Sequence, residues 1–207
     1  MIIPYYHAAD EMAQGKRASE ELSAEFTEMN NFRKALSEMI GSKSQGQLGA
    51  VCWEVNRTGI RHHHWQLLAC QAEPIKKGLV DAAFKVSAEK HEYPTFQPCE
   101  PDSQLAIRSD YFRVWTWLTD PVELADHTNG NSDKVVGISK SMYFPLPSDQ
   151  KFNIWFGREV MAGLLKLENR VNWMDALLRK DGSEQAAEEE DAQGLREDFE
   201  EFDFAMK

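Results

Sequence analysis

Several features that would mark a familiar class are scarce in this chain of 207 residues. It has three cysteines, Cys52, Cys70 and Cys99, an odd number at wide spacing. That pattern excludes a disulfide framework and a paired-cysteine zinc site, and fits a reducing compartment. No apolar run approaches the roughly 20 residues of a membrane-spanning helix, so no membrane partner is expected. The N-terminus has no charged region followed by an apolar stretch, which argues against a secretory signal. No basic cluster exceeds Lys76-Lys77, so phosphate charge alone is expected to give only weak affinity for nucleic acid. Internal repeats are absent.

The charge that is present is unevenly placed. The formal net charge is −11. Residues 181–207 hold eleven acids and two bases, which leaves a nearly neutral body of 23 acids and 21 bases in residues 1–180. An apolar content of 42%, of which aromatics form a large part, is enough for that body to build a core. The whole-chain charge therefore says little about what the body binds.

Periodicity predicts the elements. Met1-Ile2-Ile3-Pro4 reads as the end of a buried strand, so either Met1 is internal to a longer protein or the first strands are absent. A long helix is expected over residues 8–42, with Asp10 at its cap. Leu22, Phe26, Met29, Phe32, Leu36 and Ile40 form one apolar face, and Glu, Lys and Arg the other. Strands are expected over 47–54 and 61–69, joined by the turn residues Asn56-Arg57-Thr58-Gly59 as a hairpin. A helix is expected over 75–90, started by Pro74. An irregular connection follows over 93–110, then a strand over 111–118. A polar loop spans 120–133, and a further strand 140–146. Helices are expected over 156–167 and 171–179. Beyond lies an acidic tail whose Phe199, Phe202 and Phe204 can dock on the body or on a partner. Trp115 and Trp117 share one strand face. They can stack on bases, although burial against the later helical region is favoured.

The chemistry concentrates in Arg61-His62-His63-His64-Trp65-Gln66-Leu67-Leu68. Strand side chains alternate, so His62, His64 and Gln66 share one face while His63, Trp65 and Leu67 share the other. Two imidazoles about 7 Å apart beside an amide suit phosphate chemistry. One imidazole can attack phosphorus, and the other can orient it or donate to phosphoryl oxygens. Asn56 and Gly59 lie in the preceding turn, where an amide and free N–H groups can hold a phosphate or a ribose. A zinc site stands level with this reading, with His7, His91, His127 or a carboxylate as the third ligand. A purely structural role follows closely.

Ile2-Ile3-Pro4-Tyr5-Tyr6-His7 before a helix, then Asn56…Gly59, then His62-x-His64-x-Gln66, resembles the histidine-triad (HIT) fold. Gln66 takes the third triad position, as in the galactose-1-phosphate uridylyltransferase branch. Phe144-Pro145-Leu146, Trp155-Phe156-Gly157-Arg158-Glu159-Val160-Met161-Ala162-Gly163-Leu164-Leu165 and Arg170-Val171-Asn172-Trp173 resemble the C-terminal region of the CwfJ family. Glu201-Phe202-Asp203 resembles the acidic, Phe-Asp-containing helix that commonly ends its members. The resemblance runs from Ile2 to Phe204.

It implies an α+β protein. A HIT-like antiparallel sheet with a long helix would occupy 1–73, with its N-terminal strands missing. A smaller CwfJ-type α/β region would follow over 74–180, and an acidic tail over 181–207. The stretches 121–141 and 148–153 are atypical of the family. The resemblance places His64 at the nucleophile's position, with His62 and Gln66 at the flanking triad positions. It places His7, Asn56, Gly59 and Arg61 around a phosphate or nucleotide. It implies no cofactor and no metal. The expected partners are spliceosomal proteins and lariat-debranching factors, with RNA contacted locally, in the nucleus. The function that follows is a spliceosome-associated, phosphate-binding module that is weakly catalytic or inert. The alternatives are a nucleotidyl hydrolase or transferase using His64, and a truncated fragment without function.

Overall fold

A computed structural model describes residues 17–57, 65–105, 109–120, 137–172 and 183–206. The long apolar-periodic stretch forms helix α1 (Arg17–Lys43). The alternating and β-branched stretches form β1 (Leu48–Asn56), β2 (Trp65–Gln71), β4 (Tyr111–Thr119) and β5 (Gly137–Pro145). With the short β3 (Gln97–Cys99) they make one antiparallel sheet in the order β2-β1-β4-β5-β3. Helices α2 (Ala72–Lys76), α3 (Leu79–Lys90), α4 (Phe156–Leu165) and α5 (Ser183–Phe199) complete the described α+β architecture. Strands from both sides of position 73 share this sheet.

Alternation along the strands divides the sheet into two unlike faces. On one, Val51, Trp53, Val55, Phe112, Val114, Met142 and Phe144 pack beneath α3 and α4, which supply Val80, Phe84, Phe156, Val160 and Met161. Phe112 sits at the middle of this layer, with ring centroids 5.1 Å from Phe156, 5.5 Å from Phe144 and 6.0 Å from Phe84. Full burial of each such ring contributes about 1.5–3 kcal/mol. Residues 148–153 belong to the same layer. Phe152 stacks 5.0 Å from Tyr93, and Asn153 accepts the Trp155 N–H at 3.0 Å where α4 begins.

The opposite face lies under α1, and here two expectations are corrected. Arg33, assigned to the polar side of the helix, is 1% exposed and points at the sheet. Burial is possible because its guanidinium donates to Asn30 Oδ1 at 2.7 Å, to Asp102 Oδ1 at 3.3 Å and to Ser139 Oγ at 3.3 Å. The aromatic strand face is buried, as favoured, and so is not open to stack on bases. Trp115 lies between Arg33 and Arg113, with Cζ atoms 5.3 and 4.3 Å from its ring, and its indole N–H donates to the Pro101 carbonyl. Trp117 is buried with Ala50, Ile40 and Leu67. Both tryptophans are covered by the first helix rather than by the later helical region. Gly137 opposite is required, because any Cβ there would collide with the Trp117 indole.

Other differences are local. The helix expected over 75–90 is two helices, because Gly78 at φ 70° ends α2 with its N–H on Ile75 O, and α3 restarts from it. Pro74 lies inside the first turn of α2, where a missing N–H costs nothing. The connection over 93–110 contains β3, which pairs with β5. The acidic tail is a helix, α5, seated on α1: Phe32 meets Phe199 at 6.1 Å and Phe204 at 4.7 Å, and Lys43 pairs with Asp198 at 3.1 Å. The Asp10 cap, the turn beyond Arg57, most of the polar loop over 120–133 and all but the first two residues of the helix over 171–179 lie outside the described residues.

Candidate functional site

Of the residues picked out by the histidine motif, Gln66 and Asn56 are described, whereas His7, Gly59, Arg61, His62 and His64 lie outside the described residues. The alternation predicted for the strand holds where it is visible. Trp65 is 1% exposed and packs with Cys52, Met29 and Trp115 under α1. Gln66 faces the other way, pairing in register with Trp53 toward α4. Asn56 lies on the α1 side of β1, where its amide donates to the Ser109 carbonyl at 3.0 Å and contacts Tyr111. Among the described residues, then, the strand amide and the turn amide occupy opposite faces.

Gln66 finds its partner in the Phe-Gly-Arg-Glu segment, and the fold gives each residue of that segment a task. Phe156 is fully buried among the aromatic rings. Gly157 lets α4 settle on β1, since a Cβ there would collide with the Trp53 indole. Arg158 donates from Nε to Gln66 Oε1 at 2.7 Å. Glu159 accepts from Asn153 Nδ2 at 2.8 Å. Lys166 adopts φ 59° after α4, and the Leu167 N–H returns to the Ala162 carbonyl. This reversal brings Leu167 and Arg170 over the same spot.

The result is a pocket of about 300 Å³ lined by Trp53, Gln66, Leu67, Leu68, Arg158, Met161, Ala162, Leu165, Leu167 and Arg170. Two arginines and no acid are among these lining residues, in a chain whose overall charge is negative. Apolar side chains, one amide and two guanidiniums together make up the lining. This is the make-up of a site for an anion carrying an apolar or aromatic portion. Sequence reasoning quoted Arg158 and Arg170 only as family residues. The contact of Arg158 with a strand some ninety positions earlier is not carried by any local periodicity.

Other reactive groups among the described residues are engaged elsewhere. Among the described residues no group of three His, Cys, Asp or Glu side chains comes together to hold a metal. His91 is engaged locally, its Nδ1 on the Ser87 carbonyl at 2.8 Å and its ring on Tyr93. Burial pushes the Cys52 thiol up to about 12 and the Cys70 thiol up to about 11, so neither is a thiolate nucleophile near neutral pH. Burial, together with the Glu54 carboxylate that accepts its hydroxyl at 3.1 Å, also raises the Tyr111 phenol above its ordinary range.

Residues 95–205 match the family model of proteins similar to CwfJ C-terminus 2, and the chain belongs to that family. The match includes β4, β5, α4 and the docked α5, and thus the arginine half of the pocket. The chain is also similar to the CWF19-like protein mug161 of Schizosaccharomyces pombe, at 25% identity over 190 residues. That alignment covers 92% of this chain and 28% of the relative, so the chain spans little more than a quarter of the relative's length.

Proposed function

We propose that the chain is a spliceosome-associated module of the CwfJ type. It supports pre-mRNA splicing or intron-lariat turnover in the nucleus, holding an RNA phosphate at a HIT-like His-x-His-x-Gln strand and contacting spliceosomal proteins and lariat-debranching factors. In this reading residues 1–73 supply the HIT-like part, with His62, His64, His7, Gly59 and Arg61 around the phosphate; Asn56, on the opposite face of the sheet from Gln66, holds the Ser109 carbonyl instead. Residues 74–180 supply the second region. The observation that carries it is the bond between Gln66, at the third triad position, and Arg158 of the family's Phe-Gly-Arg-Glu segment, in a pocket whose described lining holds no acid. Ultraviolet crosslinking of the tagged chain in nuclear extract tests it. Enrichment of excised lariats or of spliceosomal small RNAs is expected, and absence from every spliceosomal fraction would overturn it.

The same guanidinium favours a second reading, because a cation beside the triad amide stabilises charge developing on phosphoryl oxygens. The His64 imidazole would then attack a nucleotide phosphorus. A P–N bond forms as the P–O bond to the leaving group breaks, and the leaving oxygen takes a proton. Water later releases the nucleotide and restores the imidazole. Incubation with a nucleotide labelled in its phosphoryl group should leave label on the wild-type chain and none on His64→Ala. An unlabelled wild type rejects transfer while leaving phosphate binding intact.

A further inference from the structure

Resting on the phosphate-binding reading above, we propose that Arg158 sets the orientation of the Gln66 amide. Together with Arg170 it makes the pocket between β2 and α4 a site for a nucleoside phosphate, its phosphate on the guanidinium side and its base or sugar on the Leu68–Met161 side. A glutamine amide can present either its oxygen or its nitrogen to a ligand. Here the choice is fixed, because a guanidinium has donors only: Arg158 Nε–H holds Oε1 at 2.7 Å, and the amide nitrogen is the end that turns elsewhere. The strand therefore offers a donor, the polarity that a phosphoryl oxygen requires.

The partnership also preserves the charge of Arg158. Gln66 is neutral, and among the described residues no carboxylate pairs with Arg158 or Arg170. The bond uses one of the five guanidinium donors, so most of the fork remains for an anion. Arg158 is half-buried on a helix packed into the core. It is thus held more firmly than a surface lysine, and its place is set by Gly157 against Trp53. The volume of about 300 Å³ suits one nucleotide unit and is too small for a folded RNA element. The weak basic content of the rest of the chain makes this a local recognition site.

Calorimetric titration of the 207-residue chain tests the proposal with four probes: a 5′-phosphorylated RNA trinucleotide, the same trinucleotide without that phosphate, adenosine monophosphate, and inorganic phosphate. Preference for the two 5′-phosphorylated probes identifies a terminal monophosphate as the ligand. Equal binding of both trinucleotides identifies an internal phosphodiester. Arg158→Ala should weaken the preferred probe about ten- to a hundredfold and lower the salt dependence by about one phosphate contact. Arg158→Lys should restore the salt dependence without the affinity, because an ammonium keeps the charge and loses the fork. In the wild type, the Gln66 side-chain amide and Arg158 Nε–H resonances should move together on saturation, a readout that does not depend on any variant folding. Unchanged binding by a folded Arg158→Ala, or binding that leaves those two resonances still, would overturn this proposal alone. A wild type that binds none of the four probes would overturn it together with the phosphate-binding reading.

Discussion

The two faces of the sheet are built by opposite means. Beneath α3 and α4 the layer is dry and aromatic, with Phe84, Phe112, Phe144 and Phe156 meeting edge-on or tilted. Beneath α1 the strands present Glu54, Arg113, Trp115 and Ser141, and the helix answers with Asn30 and Arg33. The aromatic face is held by volume and transfer from water. The polar face is held by pairing, and each of its members is costly to leave alone. Arg113 illustrates this: fully buried, it donates to the carbonyls of Ser103 at 2.6 Å, Glu100 at 2.7 Å and Pro101 at 3.1 Å, pinning that loop to β4. The comparison teaches that one sheet can draw stability from apolar area on one side and specify a loop on the other.

Three perturbations rank the faces. Phe112→Ala should have the largest effect, about 3–5 kcal/mol of unfolding free energy read from urea midpoints, because the hole lies amid rings that cannot close it. A loss below about 1 kcal/mol would show that the aromatic layer collapses readily. Arg113→Met should cost about 2–3 kcal/mol, since three partly buried carbonyls lose a charged donor that a thioether cannot replace. Hydrogen exchange should accelerate at residues 100–103 while the aromatic face stays protected, and uniform acceleration would erase the distinction between the faces.

The smallest effect is expected at Asp102. Partial burial works against its charge, yet the bonds from Lys34 and Asn30 and the field of Arg33 outweigh it and hold the carboxyl below its usual range. A depressed carboxyl stabilises the fold above its ordinary value and loses that contribution as pH falls through the folded value. Asp102→Asn should therefore cost a fraction of a kcal/mol at pH 7, given the exposure of the side chain, and the gap from wild type should close below about pH 4. A gap that persists at pH 2.5 would assign the role of Asp102 to packing.

Much of this fold was legible because its signals are local. The apolar repeat of α1, the β-branched run of β4 and the Phe156–Leu165 helix all declare themselves by period. Arg33 was misplaced for a physical reason: periodicity grades a side chain by polarity, and beside the local Asn30 it is the distant Asp102, Ser139 and Trp115 that allow its burial. The break at Gly78 turned on a left-handed residue, and the three-residue β3 on an edge partner. The candidate site divides in the same way. Gln66 was legible from strand alternation. Its bond to Arg158 was not, because what joins them is the packing of Gly157 on Trp53 across the sheet.

The seating of α5 on α1 has a consequence for how the molecule meets an anion. Most of the net charge lies in residues 181–207, and the end of α5 and the residues after it, Asp198 to Phe204, dock on the outer surface of α1. The arginine-lined pocket opens on the other side of the sheet. The chain is in effect an electric dipole, with its negative pole behind α1 and a small positive mouth in front. The helix and sheet between them are about 20 Å thick, roughly twice the screening length at moderate ionic strength. The two poles thus act as separate neighbours to an incoming phosphate. In the phosphate-binding reading, the acidic segment would act on an anion as a repulsive rear surface, and low salt should strengthen that effect.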